Sequence, residues 1–249
     1  MEIFPEICNF SRICEAPKTL IALQSSVLIS MINRILEPEV MESSEEAMAY
    51  DSMDHHAVNI QFVQDLIAAG CPDRGSVLDL GTGTAQIPIE LCRMLPAIRI
   101  VGIDLSVEML VLAEKNIAAS PFKEKIRTEK LDAKKISDQA EQYDVCVSNS
   151  IVHHIPVPAD VFSQAVQVTR PGGLLFWRDL VRPESDAEVR HLVQTYAGQE
   201  NEHQQRLFSD SLYAALRLEE VQDFVANLDF DPASVTQTSD RHWTWSAKK

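Results

Sequence analysis

The fold is decided by residues 77–85, which read Val77-Leu78-Asp79-Leu80-Gly81-Thr82-Gly83-Thr84-Ala85. An apolar run ends in an acidic residue and breaks into a glycine-rich turn, which predicts a strand, a tight loop and a helix. Gly81 and Gly83 lack a Cβ, so the backbone can bend sharply there and approach a ligand closely. The Asp79 carboxylate would stand at the tip of the strand. The stretch therefore predicts a loop that holds a small polar molecule.

The spacing of this turn does not fit either of two common phosphate-binding loops. A dinucleotide fingerprint needs a third glycine, but Gln86 occupies that position and Pro88 follows. A P-loop needs a Gly-Lys-Ser/Thr ending, and no lysine lies in the turn. An acidic residue at position 79 would also repel a pyrophosphate. A nicotinamide dehydrogenase is therefore disfavoured.

The same arrangement of strand and acid recurs twice downstream. Residues 99–104 form a second apolar run that ends at Asp104, and a helical pattern follows it. A carboxylate at this strand tip suits the two hydroxyls of an adenosine ribose, because an ionised carboxylate accepts several hydrogen bonds. A third acid, Asp132, follows the next predicted strand. Three acids at consecutive strand ends, in this order, are hard to obtain by chance.

These features resemble motif I and the following motifs of the class I S-adenosylmethionine (SAM) dependent methyltransferases, specifically their UbiE-like small-molecule branch. The resemblance runs from about residue 60 to the C-terminus, and residues 144–156 with the Pro171-Gly172-Gly173 turn add to it. It implies an α/β fold with a doubly wound, mostly parallel seven-stranded sheet. A C-terminal antiparallel hairpin, residues 234–246, closes that sheet, and an N-terminal helical cap precedes it.

The resemblance also implies SAM as the cofactor and assigns its contacts. Asp79 would receive the methionine ammonium, Asp104 the ribose, and Asp132 the adenine amino group. The sulfonium is a cation, and the face of Tyr50 is suited to close over it. The full set of predicted cofactor-binding residues is Tyr50, Asp79, Gly81, Thr82, Gly83, Asp104, Leu105, Met109, Asp132, Ala133, Asn149 and Ser150.

The predicted catalytic residues lie after the fourth strand and are His153, His154 and Asn149. In the family this loop faces the transferred methyl group, and an OH, NH or SH acceptor must lose a proton. Histidine titrates near neutral pH, so either imidazole suits the role of base. Asn149 and Ser150 are suited to hold the acceptor. The structural alternative, in which these side chains only satisfy loop hydrogen bonds, stays open.

Candidate substrate contacts follow the fifth strand. Arg178 and Arg182 are placed to bind an acceptor carboxylate, and Tyr196 belongs to a later insertion. A structural salt bridge with Asp179 or Glu184 explains the arginines equally well.

The predicted organisation is an N-terminal helical cap over residues 1–55 and a SAM-binding core over residues 56–249. The cap would include an amphipathic helix over residues 20–36, and the core carries a second cap insertion near residues 183–209. Additions at these points would cover the ligand-binding rim of an open α/β sheet and there set acceptor specificity. Plain packing or a homodimer interface are the alternative roles.

Composition limits the partners. The net charge of −15 argues against nucleic acid, because phosphate backbones require clustered Lys and Arg. Polar residues interrupt the apolar stretch 20–36, which argues against a membrane span. Five scattered cysteines without C-x-x-C spacing indicate a reduced cytoplasmic protein, and no metal site is predicted. A small-molecule acceptor is the expected partner.

Two alternative functions share the same SAM pocket. An enzyme of this fold could cyclise or cleave the aminobutyryl chain of SAM, and a non-catalytic protein could only bind it. The motifs do not separate the first from methyl transfer, whereas the intact polar loop over residues 148–154 disfavours the second.

Overall fold

The computed structural model describes residues 32–37, 43–52, 56–139 and 141–249. Within these ranges the side chains of Glu46, Ala49, Tyr50, Ser52 and Gln139 are outside the description. Most of the helix predicted over residues 20–36 also lies outside the described residues. Its described end is not helical, because residues 32–37 have no regular secondary structure.

Seven strands form one sheet in the order β3-β2-β1-β4-β5-β7-β6. The pairs among β1 to β5 are parallel, whereas β7 runs antiparallel to both β5 and β6. The predicted mostly parallel sheet with a C-terminal antiparallel hairpin is therefore confirmed. The strands are Arg74–Leu80 (β1), Ala97–Asp104 (β2), Ile126–Lys130 (β3), Tyr143–Asn149 (β4), Thr169–Leu180 (β5), Val235–Gln237 (β6) and His242–Lys248 (β7).

Helices connect these strands and cover both faces of the sheet. Short 3₁₀ segments span Ala133–Gln139, Val152–His154 and Pro232–Ser234. Within the described ranges no helix is both long and apolar enough to cross a bilayer. The α-helices are Ser44–Ser52 (α1), His56–Ala68 (α2), Gln86–Met94 (α3), Val107–Ala119 (α4), Ala159–Val168 (α5), Asp186–Ala197 (α6), Glu202–Ala214 (α7) and Leu218–Ala226 (α8).

The core has two layers because the central strands are buried on both faces. Val145 and Val147 of β4 pack with α2, α3 and α4, while Cys146 between them packs on the opposite face with α5 and α8. This alternation is the period of two that the pleat of a strand imposes. Strands covered on both faces read as nearly continuous apolar runs, and that is how the sequence displays them.

Strand β5 begins earlier than its sequence predicts. The Pro171-Gly172-Gly173 stretch reads as a turn ahead of a strand that starts at Leu174, yet β5 already pairs with β4 at Thr169. The register then shifts before Leu174, which marks an irregularity in the pairing of the two strands. Gly172 adopts φ 78°, a left-handed conformation that glycine tolerates. The glycines therefore bend the strand rather than begin it.

The insertion after β5 forms a small core of its own. Val189 and Leu192 of α6 pack with Leu212 of α7, and Ile32 of the N-terminal segment joins them. The backbone N–H of Ile35 donates to the Tyr213 carbonyl at 3.0 Å. The described N-terminal segment and the insertion therefore lie against each other.

Candidate functional site

An open cleft lies at the carboxyl ends of β1, β2 and β4. This is the edge at which open α/β sheets bind ligands. The cleft is lined by Gly81, Gly83, Ile103, Asp104, Leu105, Ser106, Met109, Leu131, Asp132, Ala133, Lys134, Asn149, Ser150, Ile151, His154 and Ile155.

The glycine loop after β1 forms one wall of the cleft. Gly81 has φ 67° and Gly83 has φ 53°, both in the left-handed region. A Cβ on Gly81 would overlap the Cγ2 methyl of Ile151, whereas a Cβ on Gly83 would meet nothing within 4 Å. Gly81 is therefore required by packing, and Gly83 leaves its backbone open to the cleft.

The Gly81→Ala variant should have a lower melting temperature than the Gly172→Ala variant. Both positions have positive φ, so both variants pay about 1–2 kcal/mol for a left-handed side chain. Only Gly81→Ala adds the overlap with Ile151, because the space around Gly172 is empty. Thermal unfolding of the two variants measures the difference. Equal melting temperatures would contradict this account of the loop.

Asp104 at the end of β2 joins the two sides of the cleft. Its Oδ2 accepts a hydrogen bond from the Gly83 N–H, and its Oδ1 accepts one from the Ser106 N–H, each at 2.9 Å. Burial raises the pKa of Asp104, and these backbone donors oppose the rise. The Leu105 N–H also contributes, and a carboxylate has about four lone-pair sites, so acceptor capacity remains for a ligand hydroxyl.

Asp79 and Thr82 lie behind the cleft, and neither is among its lining residues. Asp79 is 3% exposed, and burial raises its pKa to about 7, with the nearby Asp104 acting in the same direction. The Thr82 side chain fills the space that a side chain on Gly102 of β2 would take. Thr82 therefore packs the loop against β2, and Asp79 supports the loop from below.

The opposite wall contains the predicted nucleoside contacts. Leu105, Met109, Asp132 and Ala133 all line the cleft. The Ser106 side chain caps α4 by accepting from the Met109 N–H at 3.1 Å, which fixes where this helix begins. Asp132 accepts from the Lys134 N–H at 2.9 Å. This wall thus combines apolar side chains with the carboxylate of Asp132.

Asn149 ends β4, Ser150 follows it, and both line the cleft. Ser150 adopts φ 59°, which non-glycine residues rarely do. Its N–H donates to the Arg178 carbonyl at 2.9 Å, so the adjacent strand holds it in place. Strained residues of this kind concentrate at ligand-binding sites.

The two predicted catalytic histidines differ in exposure. His154 lines the cleft, whereas His153 is 4% exposed and points to Asp179. His153 Nδ1 lies 2.5 Å from Asp179 Oδ1, and Asp179 also accepts from the N–H groups of Val152 and Leu180 at 2.6 Å. An ionised carboxylate only accepts, so Nδ1 carries the proton of the ring. Asp179 therefore fixes both the ring and its tautomer.

Glu37 from the N-terminal segment faces both imidazoles. Its Oε1 lies 3.4 Å from His153 Nε2 and 3.1 Å from His154 Nδ1. Burial lowers the pKa of His153, but the carboxylates of Asp179 and Glu37 more than offset this and raise it. Burial alone would raise the pKa of Asp179, and His153 holds it below its ordinary value. Burial raises the pKa of Glu37.

Arg34 connects this segment to the histidine turn. Its guanidinium donates to the carbonyls of His153 at 3.0 Å and Ile155 at 2.9 Å, and its Nε donates to the Ala214 carbonyl at 2.6 Å. One side chain thus links the N-terminal segment, the turn after β4 and the end of α7.

The structure places the predicted substrate residues away from the cleft lining. Arg178 pairs with Asp65 at 2.8 Å, and Arg182 is 5% exposed and pairs with Glu220 at 2.8 Å. Tyr196 donates its hydroxyl to Asp240 at 2.6 Å. Each of the three side chains therefore has a structural partner, although the buried Nε of Arg182 has no hydrogen-bond partner among the described residues. The predicted Tyr50 contact cannot be placed, since the Tyr50 side chain lies outside the described part of the structure.

Two contributors to the site are absent from the sequence prediction. From the sequence, Asp179 is interpreted as a salt-bridge partner of a neighbouring arginine. The alternation of side chains along β5 does not reveal that Asp179 points towards the turn after β4. Glu37 stands in a segment without any motif, and only the folded chain brings it to the histidines. The Asp179-Leu180 ending of a buried strand is the single signal that could have pointed to the first of them.

Residues 73–240 match the family model described as a methyltransferase domain. Over 142 residues the chain is 30% identical to the malonyl-[acyl-carrier protein] O-methyltransferase of Halalkalibacterium halodurans, covering 54% of this chain and 51% of that protein. Over 168 residues it is 27% identical to the putative methyltransferase YqeM of Bacillus subtilis, covering 61% of this chain and 66% of that protein. The chain thus spans about half to two thirds of the length of these relatives.

Solved structures share the fold at low identity. The plantazolicin methyltransferase BpumL in complex with SAH matches with a TM-score of 0.65 and 16% identity, over 82% of this chain and 90% of that one. A SAM-dependent methyltransferase from Aquifex aeolicus matches with a TM-score of 0.61 and 15% identity, over 84% of this chain and 99% of that one.

Proposed function

Because the chain belongs to the methyltransferase-domain family, we propose that it transfers the sulfonium methyl group of SAM to a small-molecule acceptor. The observation that carries this proposal is the arrangement at Asp104. That carboxylate joins the Gly83 backbone to the start of α4 and retains acceptor capacity for a ribose. The glycine loop and the wall formed by Leu105, Met109 and Asp132 extend from it in both directions.

In this proposal the cofactor lies across the carboxyl ends of β1, β2 and β4. Asp104 holds the ribose, Asp132 and Ala133 border the adenine, and Gly81 and Gly83 approach the methionine portion. Asp79 supports the loop from below and offers negative charge to the ammonium. The sulfonium methyl would then point towards the side of the cleft formed by Asn149, Ser150 and His154.

The reaction is an in-line displacement. A lone pair of the acceptor forms a bond to the methyl carbon while the bond from sulfur to that carbon breaks, and its electron pair returns to sulfur to give S-adenosylhomocysteine (SAH). An OH, NH or SH acceptor also releases a proton. SAM already carries its leaving group as a cation, so positioning is the main task of the protein and can supply about 7–11 kcal/mol. His154 is the ionisable imidazole in the cleft wall.

The proposed acceptor is a small molecule rather than a nucleic acid or a membrane lipid. The net charge of −15 supports this, because a polyanionic partner would be repelled. The insertion that contains α6 and α7, packed with residues 32–37, supports a cap that limits the size of the acceptor. The buried, unpaired cysteines Cys71, Cys92 and Cys146 support a reducing, cytoplasmic setting. A homodimer through the cap is part of the same proposal.

The proposal is tested by incubating the purified protein with methyl-labelled SAM and a small-molecule extract. Mass spectrometry should find labelled products together with stoichiometric SAH. Release of methylthioadenosine would instead assign cleavage or cyclisation of the aminobutyryl chain. Binding of SAM without turnover across extracts would assign a non-catalytic protein.

Replacing His154 with alanine should lower turnover at least about tenfold while the affinity for SAH stays unchanged. The imidazole lies in the cleft wall near the acceptor side, and general acid–base groups typically contribute 10²–10⁴-fold. Steady-state kinetics and calorimetry measure the two quantities. His203→Ala on the exposed part of α7 is the matched control. Full activity of His154→Ala would reduce this histidine to a structural role.

A further inference from the structure

Three ligand-type atoms from two distant parts of the chain meet beside the cleft. They are Glu37 Oε1, His153 Nε2 and His154 Nδ1, and all lie within 4.8 Å of one another. Glu37 and His153 are largely buried, and His154 borders the cleft. We infer that these three side chains form a binding site for a divalent transition-metal ion.

The cluster brings together atoms that carry lone pairs. Asp179 takes the proton of the His153 ring at Nδ1, so in the neutral ring Nε2 presents its lone pair. That lone pair faces Glu37 Oε1, which is buried and, among the described residues, has only the two imidazoles as polar neighbours and no other hydrogen-bond donor. A buried polar atom without a partner costs about 1–3 kcal/mol. A cation between these atoms removes the cost and turns their mutual repulsion into attraction.

The distances between the three atoms suit the ligands of a metal ion. Zinc binds imidazole nitrogen and carboxylate oxygen at about 2.0–2.2 Å, so two such ligands at a tetrahedral angle stand about 3.4 Å apart. Glu37 Oε1 lies 3.4 Å from His153 Nε2 and 3.1 Å from His154 Nδ1. Two of the three distances between the proposed ligand atoms are therefore close to those of a tetrahedral metal site.

Hydrogen-bond partners hold the proposed ligands in position. Histidines that bind metals usually donate their other ring N–H to a carboxylate or a carbonyl. Asp179 does this for His153 at 2.5 Å and is itself fixed by two backbone N–H groups. Arg34 holds the carbonyls of His153 and Ile155, so the turn that carries both imidazoles is fixed as well.

The local charge also favours a divalent ion. Among the described groups here, the carboxylates of Glu37, Asp179, Asp210 and Glu220 outnumber the guanidiniums of Arg34 and Arg182. Two imidazoles and one carboxylate suit ions of the Fe(II) to Zn(II) range better than Mg²⁺ or Ca²⁺, which prefer oxygen ligands. Three protein ligands leave at least one coordination position free.

This site was not predicted from the sequence, which indicates no metal site. The two histidines are adjacent, but the third ligand stands far away in a segment without a motif. The inference concerns binding of the ion alone. Its readout is metal affinity, which does not depend on whether the protein methylates a small molecule. An ion on Nδ1 takes the lone pair of the neutral His154 ring, so His154 acts as a base only in the metal-free protein.

The test is a metal titration of the full-length protein after treatment with a chelator. Calorimetry with Zn²⁺ should show one equivalent bound with an affinity that withstands competition by citrate. Co²⁺ should bind at the same site and give visible absorption bands of a site with nitrogen and oxygen ligands. A thiolate-to-cobalt charge-transfer band would place the ion on cysteines and overturn the inference.

Substitution of each proposed ligand tests whether that side chain binds the ion. Glu37→Gln and His154→Ala should each weaken Zn²⁺ binding by at least about tenfold, and Asp179→Asn should weaken it by about 10–100-fold through the orientation of His153. The matched control is His203→Ala, which removes an exposed imidazole of α7 and should bind Zn²⁺ as the unaltered protein does. Circular dichroism confirms that each variant is folded.

Three results would overturn the inference. The first is the absence of a site that competes with citrate in the unaltered protein. The second is unchanged Zn²⁺ affinity in both Glu37→Gln and His154→Ala, which are folded single-ligand variants. The third is a loss of affinity in His203→Ala of the same size as in His154→Ala, which would indicate surface binding.

Discussion

Asp104→Ala should weaken the binding of SAM and SAH by at least about 100-fold. The variant removes the acceptor proposed for two ribose hydroxyls, and hydrogen bonds to a charged group contribute about 1.5–3 kcal/mol each. It also leaves the N–H groups of Gly83 and Ser106 without their carboxylate partner, so the glycine loop loses its link to α4. Calorimetry with SAH measures the affinity directly, without the need for an acceptor.

The control for this result is Asp223→Asn, which neutralises an exposed carboxylate on α8, a helix with no residue in the cleft lining. It should keep the affinity of the unaltered protein. Thermal unfolding of both variants separates loss of the site from loss of the fold. An Asp104→Ala protein that is folded and binds SAH normally would remove Asp104 from the proposed cofactor site.

Asp79→Asn should stabilise the ligand-free protein at pH 8 but not at pH 5. The folded pKa of Asp79 is about 7 against an ordinary value of 3.8, because burial disfavours the charged form. The folded state therefore holds a proton that the unfolded state releases, so the free energy of unfolding falls as pH rises from about 4 to about 7. The loss has an upper bound of about 4 kcal/mol, and an amide of the same shape avoids it.

The measurement is the melting temperature of Asp79→Asn and of the unaltered protein across this pH range. The variant should melt several degrees higher at pH 8, and the gap should close towards pH 5. The same variant should bind SAH more weakly at pH 8, because the negative charge proposed for the ammonium is gone. Parallel melting curves at all pH values would contradict the buried, protonated Asp79. Unchanged SAH affinity would limit Asp79 to support of the loop.

The mostly parallel sheet and the position of the cleft could be predicted because they are marked by local patterns. Buried parallel strands are written as apolar runs, and each of the first two ends in an acid that marks the carboxyl edge of the sheet. Asp104 and Asp132 consequently reach the cleft as expected. Asp79 obeys the same pattern but lies beneath the loop, since the turn at Gly81 carries the chain over it.

The remainder of the site depends on contacts between distant segments, which periodicity does not encode. Arg178 looks available for a substrate in the sequence, yet Asp65 of α2 reaches it across the sheet. Asp179 alternates with Arg178 and therefore points to the opposite face, where the His153 turn lies. Glu37 reaches the same turn because Arg34 ties its segment to three backbone carbonyls there and to that of Ala214. For Glu37, no local signal carries this information.

The aromatic packing beneath α5 and α8 has a practical consequence for optical experiments. The chain has three tryptophans, Trp177, Trp243 and Trp245, and each is fully buried in one cluster with Phe162. Their intrinsic fluorescence should be blue-shifted and should change when strands β5 to β7 come apart. Since none of the three borders the cleft, ligand entry would leave the emission nearly unchanged, and a titration needs an extrinsic dye or a labelled nucleoside as its reporter.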